Sequence, residues 1–330
     1  MKRLIATIAA FFIFLGVAFA RAQHKIAQAQ KMPVVGILQT LSHPSLDQIH
    51  QGIIAGLKQE GYVNGKNMRI DFQNAQGDQS NLKSMSDRFN NRNAAVTVGI
   101  ATPAVQSLAN EPGKTPVVMG GISDPLGTGL VKTLKRPGGR VTGTKEQEPI
   151  SKQLRMMKQF MPHLKRVGVI YTSSDDSSTS EYKEFRKLAT AQGIKVKAFT
   201  ISSTNDIAQV AQTMAGQVQA VYVPTDNTVA SGFSTLVKAT NAAKIPVFPA
   251  VANMVKSGGV ATISSSQYDM GVLTGRMTAR ILKGEKPATM SVQRTHHFDT
   301  TVNAKQAERL GLTVPAQVEH AAQKKGEIIK

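Results

Sequence analysis

The chain has 330 residues, 41% hydrophobic and 18% charged, which is the composition of a soluble globular protein and enough length for two domains. It contains no cysteine, which excludes disulfides, thiolate catalysis, zinc fingers and cysteine-held iron–sulfur clusters. The formal net charge of +19 is typical of nucleic-acid-binding proteins, but the basic residues are scattered, with no arginine-rich run. We therefore expect a basic surface that faces an anionic cell envelope, and no nucleic-acid partner.

The first twenty residues have the pattern of an export signal. Lys2 and Arg3 precede an apolar run from Leu4 to Phe19, and Ala18-Phe19-Ala20 has the small-x-small spacing that a signal peptidase cleaves. An uncleaved membrane anchor is the alternative, since the sixteen-residue run is just short of the ~17–25 residues that span a bilayer. We predict an exported, extracytoplasmic protein, at the cell surface or in the periplasm. Residues 21–32 are polar, rich in Gln and Ala, and predicted to be a linker.

After residue 32, short apolar runs alternate with helical patterns. A buried strand is predicted at 33–40, and a helix follows with Leu46, Ile49, Ile53 and Leu57 at three- and four-residue spacing. Further strands are predicted at 68–72, 95–100 and 116–119, and a second helix at 82–89. This alternation is typical of a parallel sheet with helices on both faces.

The same order recurs in the second half of the chain. Residues 167–172 correspond to 35–40 at an offset of 132, residues 220–223 to 96–99 at 124, and residues 245–248 to 115–118 at 130. Three correspondences with nearly constant spacing indicate a duplicated half.

We therefore predict an α/β protein of two Rossmann-like, doubly wound lobes joined by a multi-strand hinge. The hinge is expected near residues 141–149 and again after Ile263. The N-terminal lobe comprises residues 33–148 plus about 265–283, and the C-terminal lobe residues 149–264 plus about 284–330.

In open parallel sheets, ligands bind beyond the carboxyl ends of the strands, where this chain has short polar loops in both halves. Each loop should lead into a helix, whose free N–H groups Ser, Thr and Asp side chains cap; capping alone would explain any single one of these residues. The candidate ligand-binding residues are Gln39, Thr40, Ala101, Thr102, Ser123, Asp124, Asp175, Ser177, Asp226, Asn227 and Asn253.

The polar loops favour a ligand with two opposite charges. Helix N-termini with hydroxyl side chains suit a carboxylate, and Thr102 and Ser123 are the candidates in the first lobe. An ammonium group needs a carboxylate, for which Asp226 is the first candidate, followed by Asp124 and Asp175. Together they would hold an α-amino acid, and Asp226→Ala should weaken binding while the fold stays intact.

Motifs of catalysis are weak in this chain. There is no serine elbow, paired catalytic carboxylates or phosphate-binding lysine loop, and Gly127-Thr128-Gly129 lacks the strand-to-helix setting of a dinucleotide site. His296-His297 are adjacent, so in a strand they would point to opposite faces and could not share a metal ion. We expect a binding protein without enzymatic activity, cofactor or metal.

The chain resembles the substrate-binding proteins of ABC importers with the type I periplasmic-binding fold, over roughly residues 33–315. The resemblance is closest to the subgroup that binds tryptophan, phenylalanine or tyrosine. It is carried by several blocks in order: Val35–Ile37, His43–Asp47, Asn74–Asp78, Ala101–Ala104, Ser123–Pro125, Pro137–Gly143 and Asp226–Asn227. It implies capture of an aromatic amino acid and delivery to a membrane permease with an ATPase subunit. Family members are commonly lipoproteins, and this chain departs from them because it has no cysteine to acylate.

Two other functions remain open. The chain could be a sensory lobe that presents its ligand to a receptor, or it could import another solute, such as a sugar. Sugar clefts usually stack rings on aromatic side chains, and this chain has no Trp and only 5% aromatic residues.

Overall fold

The computed structural model describes residues 32–146 and 148–330. The predicted export signal at residues 1–20 lies outside the described residues, as does the predicted linker apart from Met32. In the part of the chain that is described, no helix is long and apolar enough to cross a membrane.

The first lobe is built on a five-stranded parallel sheet with the strand order β2-β1-β3-β4-β5. Every residue of the central strands β1 and β3 is buried, because helices cover both faces, whereas the edge strand β2 is partly exposed. The elements are β1 (Val34–Gln39), α1 (Pro44–Gln59), β2 (Arg69–Asn74), α2 (Gln79–Asn91), β3 (Val96–Ile100), α3 (Thr102–Asn110), β4 (Val117–Ile122) and β5 (Val141–Lys145).

The second lobe repeats this plan in a four-stranded parallel sheet with the order β7-β6-β8-β9. The first four strands of each lobe therefore have the same arrangement, which confirms the duplication read from the sequence. The elements are α4 (Ile150–Phe160), β6 (Arg166–Thr172), α5 (Asp176–Thr190), β7 (Lys195–Ile201), α6 (Ile207–Thr213), β8 (Ala220–Val223), α7 (Asn227–Ser231), α8 (Phe233–Ala242), β9 (Val247–Pro249), α9 (Ala252–Lys256) and β10 (Ala261–Ser264).

The last part of the chain visits both lobes. A long helix packs on the first lobe, and the remaining strands and helices complete the second, where β11 pairs antiparallel with β10 and parallel with β12. The elements are α10 (Gln267–Leu282), β11 (Asp299–Asn303), α11 (Ala304–Arg309), α12 (Ala316–Lys324) and β12 (Gly326–Ile329).

The helices α1 and α10 meet backbone to backbone through glycines spaced four residues apart in each helix. A Cβ atom on Gly52 or Gly56 would lie 2.2 Å from a carbonyl oxygen of α10, and one on Gly271 or Gly275 would lie 2.2 Å from a carbonyl oxygen of α1. Only glycine permits this approach. The N-termini of both helices point towards the other lobe, so the pair positions residues of the cleft.

The chain passes between the lobes three times, after β5, after β10 and again beyond residue 293. Residues 287–293 still pack on the first lobe: Met290 is buried in its core, Thr142 donates a hydrogen bond to the Met290 carbonyl, and Val292 N–H donates to Leu134. The last crossing therefore lies about ten residues beyond the expected boundary near 284, because this segment covers the edge strand β5 before it leaves.

Candidate functional site

The carboxyl ends of the two sheets face each other across a narrow cleft between the lobes. Its cavity volume is about 20 Å³. The cleft is lined by His43, Ser45, Leu46, Ile49, Ala101, Thr102, Gly121, Ser123, Glu146, Asp175, Ser177, Thr225, Asp226, Asn227, Ala230, Val251, Met254 and Gln267.

Hydrogen bonds join the lobes across this cleft. The Thr102 and Ser177 hydroxyls lie 2.8 Å apart. His43 Nε2 lies 3.0 Å from Asn227 Oδ1, and it is the donor because His43 Nδ1 accepts the Ser45 N–H. Burial lowers the pKa of His43, which favours this neutral form. The structure is thus a closed arrangement of the two lobes.

The Thr102–Ser177 contact brings two helix N-termini together. Thr102 is the first residue of α3 and Ser177 the second of α5, and neither helix is shorter than nine residues. Ala101, the N-cap of α3, has φ 71° and ψ 158°, a conformation that is strained for any residue with a Cβ atom. Two positive helix ends and two hydroxyl groups at one point of the cleft suit a carboxylate.

Asp226 borders the cleft but is fully engaged within the second lobe. Its carboxylate accepts hydrogen bonds from Thr172 N–H at 2.6 Å, the Thr172 hydroxyl at 3.0 Å and Val229 N–H at 2.9 Å. It caps α7 and ties that helix to the end of β6. Asp226→Ala would remove these bonds, so we expect it to lower stability as well as to weaken binding.

Asp175 is the second carboxylate of this wall. It caps α5 by accepting the Ser178 N–H at 3.0 Å. Burial, and then the nearby Asp226, raise the pKa of Asp175 to about 6. A ligand ammonium placed between Asp175 and Asp226 would relieve their repulsion.

Seven of the eleven candidate residues line the cleft: Ala101, Thr102, Ser123, Asp175, Ser177, Asp226 and Asn227. Gln39 and Thr40 instead hold first-lobe loops, through Asp47 and the Ile100 carbonyl respectively. Asp124 lies on the hinge side, where it accepts from Ser180. Asn253 bonds Ser45 and Gln48 beside the cleft.

The sequence-based selection missed the apolar part of the cleft. Leu46 and Ile49 of α1 face it from the first lobe, and Val251 and Met254 from the second. The helical spacing of Leu46 and Ile49 indicated that α1 packs on the core. It does, and the same stripe of residues also lines the cleft. Glu146 and Gln267 were missed because they lie on the hinge crossings, where no periodic pattern marks a site.

The paired histidines lie apart from the cleft. His297 is close to Lys325, and His296 borders a cavity on the hinge side. Among residues 32–146 and 148–330, no group of three His, Cys, Asp or Glu residues is placed to hold a metal ion.

Comparison with known proteins places this geometry in context. A family profile described as "ABC transporter substrate binding protein" matches residues 34–325. A tyrosine-binding protein of Clostridioides difficile is 31% identical over 284 residues, covering 86% of this chain and 82% of that protein.

Solved structures give the same grouping. An ABC domain of Streptococcus pneumonia in complex with L-Trp is 41% identical, with 91% of this chain and all of that chain covered, at a TM-score of 0.87. The ligand-free, open structure of a substrate-binding protein with adhesive properties from Clostridium difficile is 32% identical, with 91% and 99% covered, at a TM-score of 0.70. The greater similarity to the L-Trp complex agrees with the closed arrangement of the lobes described above.

Proposed function

Because the chain belongs to the ABC transporter substrate-binding protein family, we propose that it captures an aromatic amino acid between its lobes and delivers it to a membrane permease. Tryptophan is the first candidate for this ligand. A cytoplasmic ATPase subunit would drive uptake through that permease. The family is one of solute-binding proteins, so the chain is not an enzyme.

The observation that carries the proposal is the division of the cleft into three parts. The hydroxyls of Thr102 and Ser177 at two helix N-termini suit a carboxylate, and Asp175 and Asp226 beside them suit an ammonium group. Apolar side chains of α1 and α9 form the third part, which suits an indole or phenyl ring. A ligand without one of the two charges would leave a buried polar group unpaired, and the cleft would reject it.

The relatives support the choice of side chain. One is described as a tyrosine-binding protein and another was solved with L-Trp. The present chain has no Trp of its own, so it offers a direct assay. Indole emission from a mixture of protein and tryptophan comes from the ligand alone.

We expect the indole emission to move to shorter wavelength as protein is titrated into tryptophan, because the ring leaves water for the cleft. Phenylalanine and tyrosine should compete, and glucose and ribose should not. Unchanged emission at saturating protein, together with no rise in melting temperature for any amino acid, would exclude this function. Ligand at about 100 times its Kd should add about 2.7 kcal/mol to the free energy of unfolding.

A pair of variants tests the carboxylate site. Thr102→Val keeps the shape of the side chain but removes its hydroxyl, and should weaken tryptophan binding about tenfold. Thr190→Val makes the same change at the exposed end of α5 and should leave the Kd unchanged.

A further inference from the structure

Three glutamate side chains lie buried together beside the hinge. Glu146 and Glu148 follow β5 on the first crossing between the lobes, and Glu181 lies in the second turn of α5. Their exposed fractions are 3%, 9% and 6%. A carboxyl group buried this deeply can carry its charge only if a cation or several donors compensate for the lost hydration.

Glu146 and Glu148 have few donors. Glu146 accepts one hydrogen bond from Gln267 Nε2 at 2.5 Å, and Glu148 Oε2 accepts one from Gln153 Nε2 at 3.1 Å. The other oxygen of Glu148 is buried and has no donor among the described residues. The hydrogen bond between the two carboxyls acts to lower the pKa of Glu146 and to raise that of Glu148, so it favours a proton on Glu148.

Glu181 connects the cluster to the closed cleft. Its Oε1 accepts the Ser123 hydroxyl of the first lobe at 2.8 Å, and its Oε2 accepts the Thr225 N–H of the second lobe at 2.9 Å.

A cavity of about 640 Å³ on the hinge side adjoins the cluster and opens to solvent. Beneath the cluster, the buried Tyr222 hydroxyl donates to Gln153 Oε1 at 2.8 Å. The other charged or titratable groups on the cavity wall are Asp124, Glu184, Lys135, Lys145, Arg294 and His296.

The arrangement favours protonated carboxyls. Burial raises the pKa of Glu146 to about 7, and burial together with Glu146 raises the pKa of Glu181 to about 8. Burial and both neighbours also raise the pKa of Glu148. Three adjacent carboxyls cannot all ionise in this environment, so the closed protein holds at least one proton there at neutral pH.

Opening of the lobes would change this environment. The Ser123–Glu181 hydrogen bond spans the two lobes and breaks when they separate. Water then reaches the cluster from the cleft as well as from the hinge-side cavity. The carboxyls return towards their ordinary pKa of about 4.3 and release protons.

We infer that closure of the lobes on a ligand takes up at least one proton in the cluster of Glu146, Glu148 and Glu181, so that ligand affinity falls as the pH rises. This inference rests on the proposed function, because it requires a ligand on which the lobes close.

The direction follows from linkage. The closed state has the higher carboxyl pKa values, so it binds more protons than the open state. The gain in ligand affinity that comes from proton uptake is complete below the ordinary carboxyl pKa. It is lost as the pH rises through the pKa values of the closed state, about 7 to 8. For one proton, the Kd rises by up to about tenfold per pH unit between these limits and then levels off.

The test is calorimetry of tryptophan binding to the wild-type protein near neutral pH, in two buffers with different ionisation enthalpies. The difference in observed heat gives the number of protons taken up, which we expect to be about one. The Kd measured at about pH 6, 7 and 8 should rise with pH, by up to about tenfold per unit for an uptake of one proton.

Glu181→Gln removes the titrating group but can still bond Ser123 and Thr225, so it should reduce proton uptake and flatten the pH dependence of the Kd. Glu308→Gln changes an exposed glutamate of α11 that does not line the cavity, so it should behave like the wild type, and its proton uptake includes any that comes from the ligand itself.

The outcomes separate the two proposals. If tryptophan binds with no proton uptake and with the same Kd at each pH, the inference is wrong while the proposed function stands. If the wild type takes up a proton but Glu181→Gln does so equally, the cluster is not the acceptor. If no aromatic amino acid binds, the proposed function itself fails.

Discussion

Asp226 accepts three hydrogen bonds inside the second lobe and also lines the cleft. Its exposed fraction is 1%, so these bonds are shielded from water. The same residue thus caps α7, fixes the end of β6 and contributes negative charge to the site. Its position after a core strand predicted the last of these roles, whereas the bonds that fix it appear only in the fold.

We expect Asp226→Ala to lower the free energy of unfolding by about 2–4 kcal/mol, since it removes a helix cap and leaves the buried Thr172 N–H without an acceptor. Urea denaturation would measure the change. Asp78→Ala, which removes the cap of α2 at an exposed position, should cost about 1 kcal/mol and serves as the comparison. Equal losses for the two variants would contradict a structural role of Asp226 beyond capping.

At the scale of elements, the glycine contact between α1 and α10 determines how the cleft is built. His43 and Ser45 stand at the start of α1, and Gln267 begins α10. Because the two helices touch through their backbones, a shift of one helix against the other would move both groups of cleft residues. The contact joins segments more than two hundred residues apart.

Gly56→Ala should therefore destabilise the protein. A Cβ atom at Gly56 would lie 2.2 Å from the Val272 carbonyl oxygen, which is backbone and cannot move aside. Overpacking of this kind costs typically 1–3 kcal/mol, and the better helix propensity of Ala recovers up to about 1 kcal/mol. We expect a net loss of about 2 kcal/mol, measured as a lower melting temperature.

Gly139→Ala is the matched control, because a Cβ atom there meets nothing within 4 Å. It should be neutral or slightly stabilising, since Ala narrows the conformations of the unfolded chain. If Gly56→Ala melts at the temperature of this control, the close helix contact does not exist in solution.

At the scale of the whole molecule, two similar lobes meet through a few hydrogen bonds and three crossings of the chain. The bonds that join the lobes, such as Thr102–Ser177 and His43–Asn227, are polar and small in number. Interfaces of this kind permit relative motion of domains. A bound ligand can contact both lobes at once only in the closed state. Its contacts would therefore stabilise that state and shift the population towards it.

Export is a property of the full chain, and its prediction rests on the first twenty residues. We expect the exported protein to begin near Arg21, as N-terminal sequencing of the mature product would show. Ala20→Phe should block processing, because a bulky residue occupies the cleavage position, whereas Ala22→Phe should not. An intact Met1 in the membrane fraction would instead establish the uncleaved anchor.

The sequence by itself determined the fold class and the duplication. Central strands such as β1 and β6 are continuous apolar runs because both of their faces are covered, and this makes them readable without a structure. The edge strand β7 was harder than the edge strand β2: it alternates with lysines and was not predicted, because one of its sides faces water. The polar loops at the strand ends also identified most of the polar cleft residues, since the topology of parallel sheets fixes where those loops meet.

Only the tertiary structure decided which of those residues face the other lobe. Gln39 lies at the end of a strand, just as Thr102 follows one, yet its side chain bonds Asp47 within the first lobe, whereas Asn253 reaches Ser45 and Gln48 across the lobes. The buried glutamates lie together although Glu146 and Glu181 are far apart in sequence, and the approach of α1 to α10 depends on distant glycines. Periodicity indicates which face of an element is buried, but it carries no information about which distant segment covers that face. The site is formed where such distant segments meet, so only the tertiary structure shows it.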